Sequence, residues 1–456
     1  MNDHAAGLID FLSAQRTRTL PANAYANARR CLLDAIGCGL FGASQPWSRI
    51  MAAQLFDENS RGASTVFGHA RPLAAPAAAL CNGTAIHGFE LDDLLPAAII
   101  HPGTVIIPAL LAAAENAPVS GEQLLRAIIL GYEATARISI AMGTEASHHG
   151  FHKTSVVGPV ASAIAVGCLL GLSAQHITCA AGIAASMAGG IKAYVDGGGG
   201  GMVKRMHAGW AAASGVRAAL LARDGFTGSS GAIDTRYGLL KVFGGNAADA
   251  SKLTVGLGDT WAIDAVWFKA YPICGWIQGV AQLLGQLRGD QALRPEQIKK
   301  VVVGTSRFAV NGNSNAAPAD TMDAQYSIPY CAALALTADP GDPRAFEPAM
   351  FNDARLRDLA TLVEVGVDDE CEAVYPNRFG SRVTLHLANG EVRTALTLDP
   401  HGTPADPYSD EELAQKFERL AGLSPLKVDA GAIARVVQNI DDAPSLSGLS
   451  QVLRAA

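Results

Sequence analysis

Residues 155–191 have the sequence SVVGPVASAIAVGCLLGLSAQHITCAAGIAASMAGGI, which contains no formally charged side chain. The stretch is long enough to span a membrane, but Ala, Gly and Ser outnumber Leu and Phe in it, and LSAQH at 172–176 interrupts it. Gly171 closes the first apolar half, and Ser173 is a suitable N-cap for the second. We therefore predict a buried helical hairpin here rather than a membrane span.

The whole chain has the composition of a compact globular protein. It contains 456 residues, 49% hydrophobic and 17% charged, which is enough to bury a large core and to form more than one domain. Glycine is abundant, with 48 residues, and much of it lies in helical-looking stretches, where small side chains let helices approach closely. The net charge is −7 and no long basic run occurs, so we expect neither nucleic acid nor a membrane as a partner.

The N-terminus and the cysteines indicate a cytoplasmic protein. Residues 1–9 lack the basic segment and the following apolar segment of a signal peptide. The eight cysteines are scattered singly without a C-x-x-C pair, which gives no support to a structural zinc site or a redox pair. We expect buried, reduced thiols.

Helical patterns dominate up to about residue 267. They predict helices over 24–41, 76–87, 105–116, 121–142, 155–171, 173–188 and 206–224.

The pattern changes after Trp267. Residues 297–310 are strand-like, and Asn389-Gly390 between two alternating segments is the strongest short signal for a β-hairpin. Helix returns after a capping box at Ser409. We therefore predict a separate α+β unit over 268–400, with further helices near 329–338 and 353–362 and a linker at 400–407.

The first candidate site is HGFELDD at 87–93, followed by HPGT at 101–104. Crowded carboxylates raise one another's pKa, which suits general acid–base catalysis together with the two histidines. The alternative is a solvated loop before a capped helix start at Thr104. The set matches no recognised metal motif, and we predict no metal here.

Two further candidate sites carry basic groups. HHGFHKTS at 148–155 precedes the apolar hairpin, where a helix N-terminus favours an anion; the alternative is a polar cap on a buried helix. In DGGGGGMVKRMHAG at 196–209 the glycines allow close approach of a ligand, and Lys204 and His207 share one helix face. The alternative is a flexible linker before a helix start. The spacing fits neither a P-loop nor a dinucleotide fingerprint.

A fourth, weaker candidate site is KAYPIC at 269–274, at the boundary of the predicted α+β unit. No paired base accompanies Cys274, so a buried thiol is favoured over a nucleophile.

Together these segments resemble the MmgE/PrpD family, which includes 2-methylcitrate dehydratase, cis-aconitate decarboxylase and iminodisuccinate epimerase. The resemblance runs through nearly the whole chain in order. It is carried by HGFELDD at 87–93, His101-Pro102, Gly150-Phe151-His152, Lys204 with HAG at 207–209, Ala211-Ala212, GFTG at 225–228, Lys269-x-Tyr271-Pro272-x-Cys274, YSIPY at 326–330 and residues 404–417.

The resemblance implies a fold and an assembly. The fold is mainly α, with a large all-helical domain formed by both chain ends, 1–267 and 401–456. A smaller α+β lid domain, 268–400, is inserted between them, and the site lies between the two domains. Such proteins are usually homodimers and need no metal or other cofactor.

The resemblance also implies roles for individual side chains, toward a small-molecule carboxylate substrate. The implied catalytic residues are His101, His152, Lys204, Glu90 and Asp93, with Glu90 standing where the family more often has Asp. The implied substrate contacts are His207, Lys269, Gln278 and Tyr330.

The implied chemistry is proton abstraction next to a carboxylate. It creates an enediolate-like dianion that requires nearby cations, which Lys204 and a protonated histidine supply, while the other histidine acts as the base. The chain departs from the family at Leu94, where Thr is common, at Gly103, where Ser is frequent, and at Gln278, where His is common. These lost polar contacts predict a less charged substrate or a rearranged pocket.

The leading hypothesis is a cofactor-independent hydro-lyase that eliminates water from a small di- or tricarboxylic acid. The second is an epimerase or racemase, with one basic group on each face of the α-carbon. A decarboxylase is third, because Leu94 departs from the known decarboxylases. A non-catalytic binding protein of the same fold also stays open.

Overall fold

The computed structural model describes residues 4–58, 60–195, 201–290 and 292–454, and most of them are helical. The α-helices before residue 250 are α1 (His4–Gln15), α2 (Ala22–Ala43), α3 (Pro46–Asp57), α4 (Ala75–Ile86), α5 (Pro102–Ala114), α6 (Gly121–Met142), α7 (Glu145–His148), α8 (Lys153–Leu169), α9 (Ala174–Ala185), α10 (Val203–Arg223) and α11 (Leu239–Gly244). The later α-helices are α12 (Gln278–Arg288), α13 (Arg307–Asn313), α14 (Thr321–Gln325), α15 (Ile328–Thr337), α16 (Pro348–Phe351), α17 (Ala354–Ala360), α18 (Asp369–Val374), α19 (Asp410–Leu423), α20 (Ala430–Gln438) and α21 (Ser447–Leu453). The mainly-α class is therefore confirmed.

A small sheet lies in the later part of the chain. Its strands are β1 (Ile298–Thr305), β2 (Val363–Val367), β3 (Ser381–Leu387) and β4 (Val392–Thr397), in the order β2-β1-β3-β4. β1 pairs with β2 in parallel and with β3 in antiparallel orientation, and β3 and β4 form the predicted hairpin. Gly390 in its turn has φ +89°, a conformation that glycine adopts without a steric cost.

The uncharged stretch forms the predicted helical hairpin. Every residue of α8 is buried, and Ser173 caps α9 by accepting a hydrogen bond from the backbone N–H of His176, at 3.2 Å. Within the described part of the chain, no helix combines the length and the hydropathy that crossing a bilayer requires. The abundance of Ala and Gly in this stretch therefore serves close helix packing.

Helix α10 crosses α4, α5, α8 and α9, and small residues permit these crossings. A Cβ atom on Gly209 would lie 2.2 Å from the carbonyl oxygen of Leu80, and one on Gly83 would lie 2.7 Å from the Cα atom of Gly209. Larger side chains at this crossing would push α10 away from α4. The crossing thereby fixes the first turns of α10, which carry Lys204 and His207.

The two ends of the chain pack together. The Lys416 ammonium on α19 forms a buried ion pair with Asp34 on α2, at 2.7 Å. At the predicted edges of the inserted unit, the Trp267 indole N–H donates to the carbonyl of His401, at 3.1 Å. Residues 400–407, which were predicted to be a linker, are therefore hydrogen-bonded to the segment around Trp267. One apolar core includes residues from both predicted units, and their division into two domains stays a prediction.

Candidate active site

A cavity of about 490 Å³ is lined both by residues before 200 and by residues between 274 and 379. Its buried end is formed by Glu90, His101, His152, Tyr194 and Tyr326. Two segments that the sequence analysis singled out separately, 87–104 and 148–155, therefore meet at one site.

The two histidines at this end occupy equivalent positions in their helices. His101 precedes α5 and His152 precedes α8; the Gly103 N–H in the first turn of α5 donates to the Asp93 carboxyl at 2.9 Å, whereas the side chain of His152 does not cap α8. Pro102 is the first residue of α5, a position where its missing N–H costs nothing. An uncapped helix N-terminus carries partial positive charge and free N–H groups, so the end of α8 beside His152 favours an anionic ligand in the cavity.

Glu90 is held in an unusual backbone conformation between two lysines. Its φ of +58° lies in the left-handed region, which costs a non-glycine residue on the order of 1–3 kcal/mol and is typical of functional sites. Its carboxylate accepts hydrogen bonds from Lys204 and, at 3.2 Å, from Lys269. Burial alone would raise the pKa of Glu90, but the two ammonium groups outweigh it and hold the pKa well below its usual range. Glu90 is therefore an anion.

Asp92 joins two imidazoles. Its Oδ2 atom lies 2.7 Å from Nδ1 of His101 and 3.1 Å from Nδ1 of His87. Burial would raise the pKa of Asp92, but Lys269 and the two histidines hold it well below its usual range, so the carboxylate only accepts hydrogen bonds. Both Nδ1 atoms must then carry protons, which leaves Nε2 of neutral His101 unprotonated. Burial lowers the pKa of His101, so this nitrogen is available as a base at neutral pH.

The second histidine is paired with a third. Nδ1 of His152 lies 3.0 Å from Nδ1 of His207, so one ring donates to the other. Burial, followed by the charge of Lys204, lowers the pKa of His207 to about 4, and burial together with its cationic neighbours holds that of His152 well below the usual range. The rings of His152 and His101 have centroids 6.4 Å apart. The buried end thus holds two neutral imidazoles, each supported by a different partner.

Asp93 does not line the cavity, contrary to its implied catalytic role. Its carboxyl group accepts hydrogen bonds from the Tyr132 hydroxyl at 2.6 Å and from the Gly103 N–H at 2.9 Å. Burial raises its pKa to about 7. Asp93 thus fixes the start of α5 and the adjacent His101 from behind the cavity wall.

Two of the implied substrate contacts also lie away from the cavity wall. The Tyr330 hydroxyl donates to the carbonyl of Ala345 at 2.6 Å within the core. Gln278 folds over the backbone of the preceding loop, where its amide nitrogen donates to the carbonyl of Tyr271 at 2.7 Å. Gln278 therefore holds the backbone of the loop that follows Lys269.

The other two implied substrate contacts, His207 and Lys269, do not line the cavity, and neither does Lys204. Each of the three contacts a residue that does. Lys204 and Lys269 are fully buried and reach Glu90, and His207 reaches His152. They act on the cavity through these partners. Cys274 lines the cavity, and burial raises the pKa of its thiol to about 11, which fits the predicted inert thiol.

Several residues of the site were not among those predicted from the sequence. Asp92 and His87 belong to the quoted HGFELDD block, and Tyr326 belongs to the quoted YSIPY segment, four residues before Tyr330. Tyr194 carried no sequence signal. The glycine-rich candidate falls partly on 196–200, which lie outside the described residues, whereas Lys204 and His207 from its second half do reach the site.

His87, Asp92 and His101 also have the donor types of a divalent metal site, with the relevant atoms within 4.8 Å of one another. A histidine nitrogen binds a metal only when it is unprotonated. The Nδ1 atoms of both histidines are instead within hydrogen-bond distance of Asp92, which keeps them protonated. The geometry fits a hydrogen-bonded triad, and the predicted absence of a metal stays a prediction.

Sequence comparisons identify the family of this chain and several of its relatives. Family models of the MmgE/PrpD N-terminal domain and C-terminal domain match residues 6–251 and 271–442. The chain belongs to the MmgE/PrpD family. Among its relatives are a cis-aconitate decarboxylase-like protein of Aspergillus oryzae, 31% identical over 98% of this chain and 96% of the relative, and a cis-aconitate decarboxylase of Aspergillus terreus, 28% identical over 96% and 93%. The human cis-aconitate decarboxylase is 28% identical over 94% of this chain and 89% of its own.

Proposed function

We propose that this chain is a cofactor-independent lyase that transfers a proton at the carbon next to a carboxylate of a di- or tricarboxylic acid. The observation that carries this proposal is the pair of neutral imidazoles at the buried end of the cavity, with ring centroids 6.4 Å apart. A carbon acid bound between His101 and His152 has a base on one side and a second proton-transfer group on the other.

His101 is the better base of the two. The ionised Asp92 carboxylate holds its Nδ1–H and stabilises the imidazolium that forms when Nε2 takes a proton. His152 returns a proton or supplies it to the leaving group, since His207 lies within proton-transfer distance behind it. The negative charge that develops on the substrate faces the N-terminus of α8, while Lys204 and Lys269 offset the charge of Glu90.

Two bonds can break beside the reacting carbon. In loss of water, neutral His101 takes the α-proton and the β-hydroxyl leaves as water with a proton from His152, which for this step is in its imidazolium form. In loss of CO₂, the electron pair of the carbon–carbon bond stays on the carbon, which then takes a proton from an imidazolium. Because the relatives described above are named as decarboxylases, we place decarboxylation before the dehydration expected from the sequence.

Epimerisation is the second candidate function. It requires one group to remove the α-proton and another to return a proton to the opposite face, and His101 and His152 supply two such groups. No leaving group is then lost.

Proton NMR in D₂O with purified protein and citrate-, aconitate-, malate- and aspartate-like acids tests these alternatives. Decarboxylation gives a product with one carboxyl carbon fewer and deuterium at the reacting carbon, and dehydration gives a new vinylic signal. Washout of the α-proton without a new carbon skeleton would establish epimerisation. If no acid exchanges or reacts, the catalytic proposal is wrong.

Matched variants connect the activity to the site. His101→Gln and His152→Gln should each lower the rate by roughly 10²–10⁴-fold, the usual contribution of a general acid or base. The control is His176→Gln, on the exposed N-terminal turn of α9. Lys204→Ala separates a catalyst from a binder, since a catalyst loses rate by orders of magnitude whereas a binding protein loses only affinity.

A further inference from the structure

The cavity is much less polar beyond its buried histidine end. Four aromatic side chains line this region, and we call them the aromatic wall: Trp276, Phe308, Tyr375 and Phe379. Leu94, Ile99 and Val195 add aliphatic surface to the same cavity. The basic side chains in this lining are the exposed His148 and Arg307, the half-buried Lys192 and the buried Lys153, and the other polar ones are Ser147, Asn311, Asn313 and Glu372.

The aromatic wall is a continuous set of ring contacts. The ring centroids of Trp276 and Phe379 are 4.9 Å apart and nearly parallel, and those of Trp276 and Phe308 are 5.0 Å apart. Phe308 stacks on Tyr375 at 5.6 Å and contacts the exposed His148 at 5.6 Å. Rings that support one another in this way form a rigid apolar surface.

This surface reaches the reacting end of the cavity through Leu94. Leu94 packs in one cluster with Phe379, Trp267 and Trp276, and it directly follows Asp93 in the chain. Leu94 and Ile99, which line the cavity together with His101, therefore extend the apolar surface toward the histidines.

The polar atoms of the aromatic wall do not open into the cavity. The indole nitrogen of Trp276 and the hydroxyl of Tyr375 are both buried without a hydrogen-bond partner among the described residues. The faces that these side chains present to the cavity are therefore ring carbon. A carboxylate placed against these ring faces would lose its hydration without gaining a hydrogen bond from them, which is unfavourable. The Lys192 ammonium, 4.7 Å from the centroid of Phe308, is the cation that borders the aromatic wall.

We propose that the natural substrate carries an extended alkyl or aryl substituent next to its carboxylates, and that the aromatic wall binds this substituent. This inference rests on the proposed function, because the carboxylate end must face His101 and His152. The acid end then occupies the buried polar part of the cavity, and the substituent lies along Phe379, Trp276 and Phe308 toward the mouth.

A homologous series of aconitic and citric acids tests this proposal, bearing hydrogen, methyl, butyl or hexyl on a carbon next to the carboxylates. Burying one methylene is worth about 0.8 kcal/mol, or about fourfold in kcat/KM. We expect kcat/KM to rise at least about tenfold from methyl to hexyl. If the unsubstituted acid reacts and kcat/KM falls or stays level along the series, the substituent proposal is overturned while the lyase proposal stands.

Calorimetric binding of unreactive saturated analogues, tricarballylic acid and its hexyl derivative, separates the two proposals further. Tighter binding of the hexyl analogue with no turnover of any acid would support the aromatic wall as a binding surface and refute the lyase proposal. Equal or weaker binding of the hexyl analogue would overturn the substituent proposal whatever the turnover.

Variants assign the effect to the aromatic wall. Phe379→Ala should reduce the ratio of hexyl to methyl kcat/KM by about tenfold, and Phe379→Leu, which keeps more of the buried volume, should reduce it less. Phe226→Ala, on an exposed aromatic outside the cavity, is the control and should leave the ratio unchanged. An unchanged ratio in Phe379→Ala, with the fold intact by circular dichroism, would contradict the assignment.

Discussion

The Asp92→Asn exchange is the sharpest test of the proposed base. The carboxylate of Asp92 lies 2.7 Å from Nδ1 of His101; Asp92 is buried and the His101 side chain is 13% exposed. The amide of Asn can still accept a hydrogen bond but carries no charge. At about 4 Å between charge centres and an effective dielectric constant of about 20, the imidazolium loses about 4 kcal/mol of stabilisation, or about 10³-fold in rate.

The same exchange changes the pH profile in a defined direction. Without the Asp92 charge the pKa of His101 falls further below its usual value, so the acidic limb of kcat/KM moves to lower pH while the plateau falls. The assay is exchange or turnover in D₂O with the best acid of the panel, between pH 5 and 9. Glu133→Gln is the matched control, because Glu133 is a buried carboxylate that pairs with Arg137 at 2.7 Å outside the cavity. A plateau within tenfold of the wild type in Asp92→Asn would refute His101 as the base.

Three further predictions concern Asp93, Tyr330, and the possible metal ligands His87, Asp92 and His101. Burial raises the pKa of Asp93 to about 7 in the fold, above its value in the unfolded chain, so the stabilising contribution of its protonated form is present below pH 4 and is lost as the pH rises toward 7. We expect the free energy of unfolding to fall by about 2.5 kcal/mol between pH 5 and 8. Asp93→Asn should flatten this pH dependence in urea unfolding. Tyr330→Phe should lower the free energy of unfolding by about 1 kcal/mol, since the Ala345 carbonyl loses its donor, and should leave KM within about twofold; a tenfold rise in KM would restore Tyr330 as a substrate contact. Dialysis against a chelator should leave the rate unchanged, whereas a loss that a divalent cation reverses would place a metal on His87, Asp92 and His101.

The parts of the fold that the sequence predicts are those set by local interactions. The β3–β4 hairpin follows from Asn389-Gly390, and the α8–α9 hairpin follows from Gly171 and Ser173, because each turn is specified by its own residues. Strand β2 was not predicted. It has five residues, is only partly buried, and exists through its pairing with β1, about sixty residues earlier in the chain.

The sequence predicted individual segments of the site but not how their side chains pair with one another. The blocks around His101, His152 and Lys204 were each selected, although a structural alternative stayed open for each of them. Their partnerships depend on tertiary packing, as the contact of Glu90 with both Lys204 and Lys269 shows. Tyr330 stays a predicted substrate contact, and a local feature explains why it lies away from the cavity wall. Ser327 caps α15, which turns Tyr330 into the core and leaves Tyr326 outside the helix at the cavity.

The charge balance of the cavity explains how a site of neutral imidazoles can serve an anionic substrate. Lys204 and Lys269 offset Glu90 and Asp92, so the buried end carries little net charge before a ligand enters. The low pKa values of His101 and His152 come mainly from burial, and a substrate carboxylate beside them would favour their protonated forms. On His152 this prepares the imidazolium that gives up a proton, whereas His101 acts as the base in its neutral form. Beyond these histidines the lining combines the aromatic wall with the basic side chains of Lys192, Arg307 and His148.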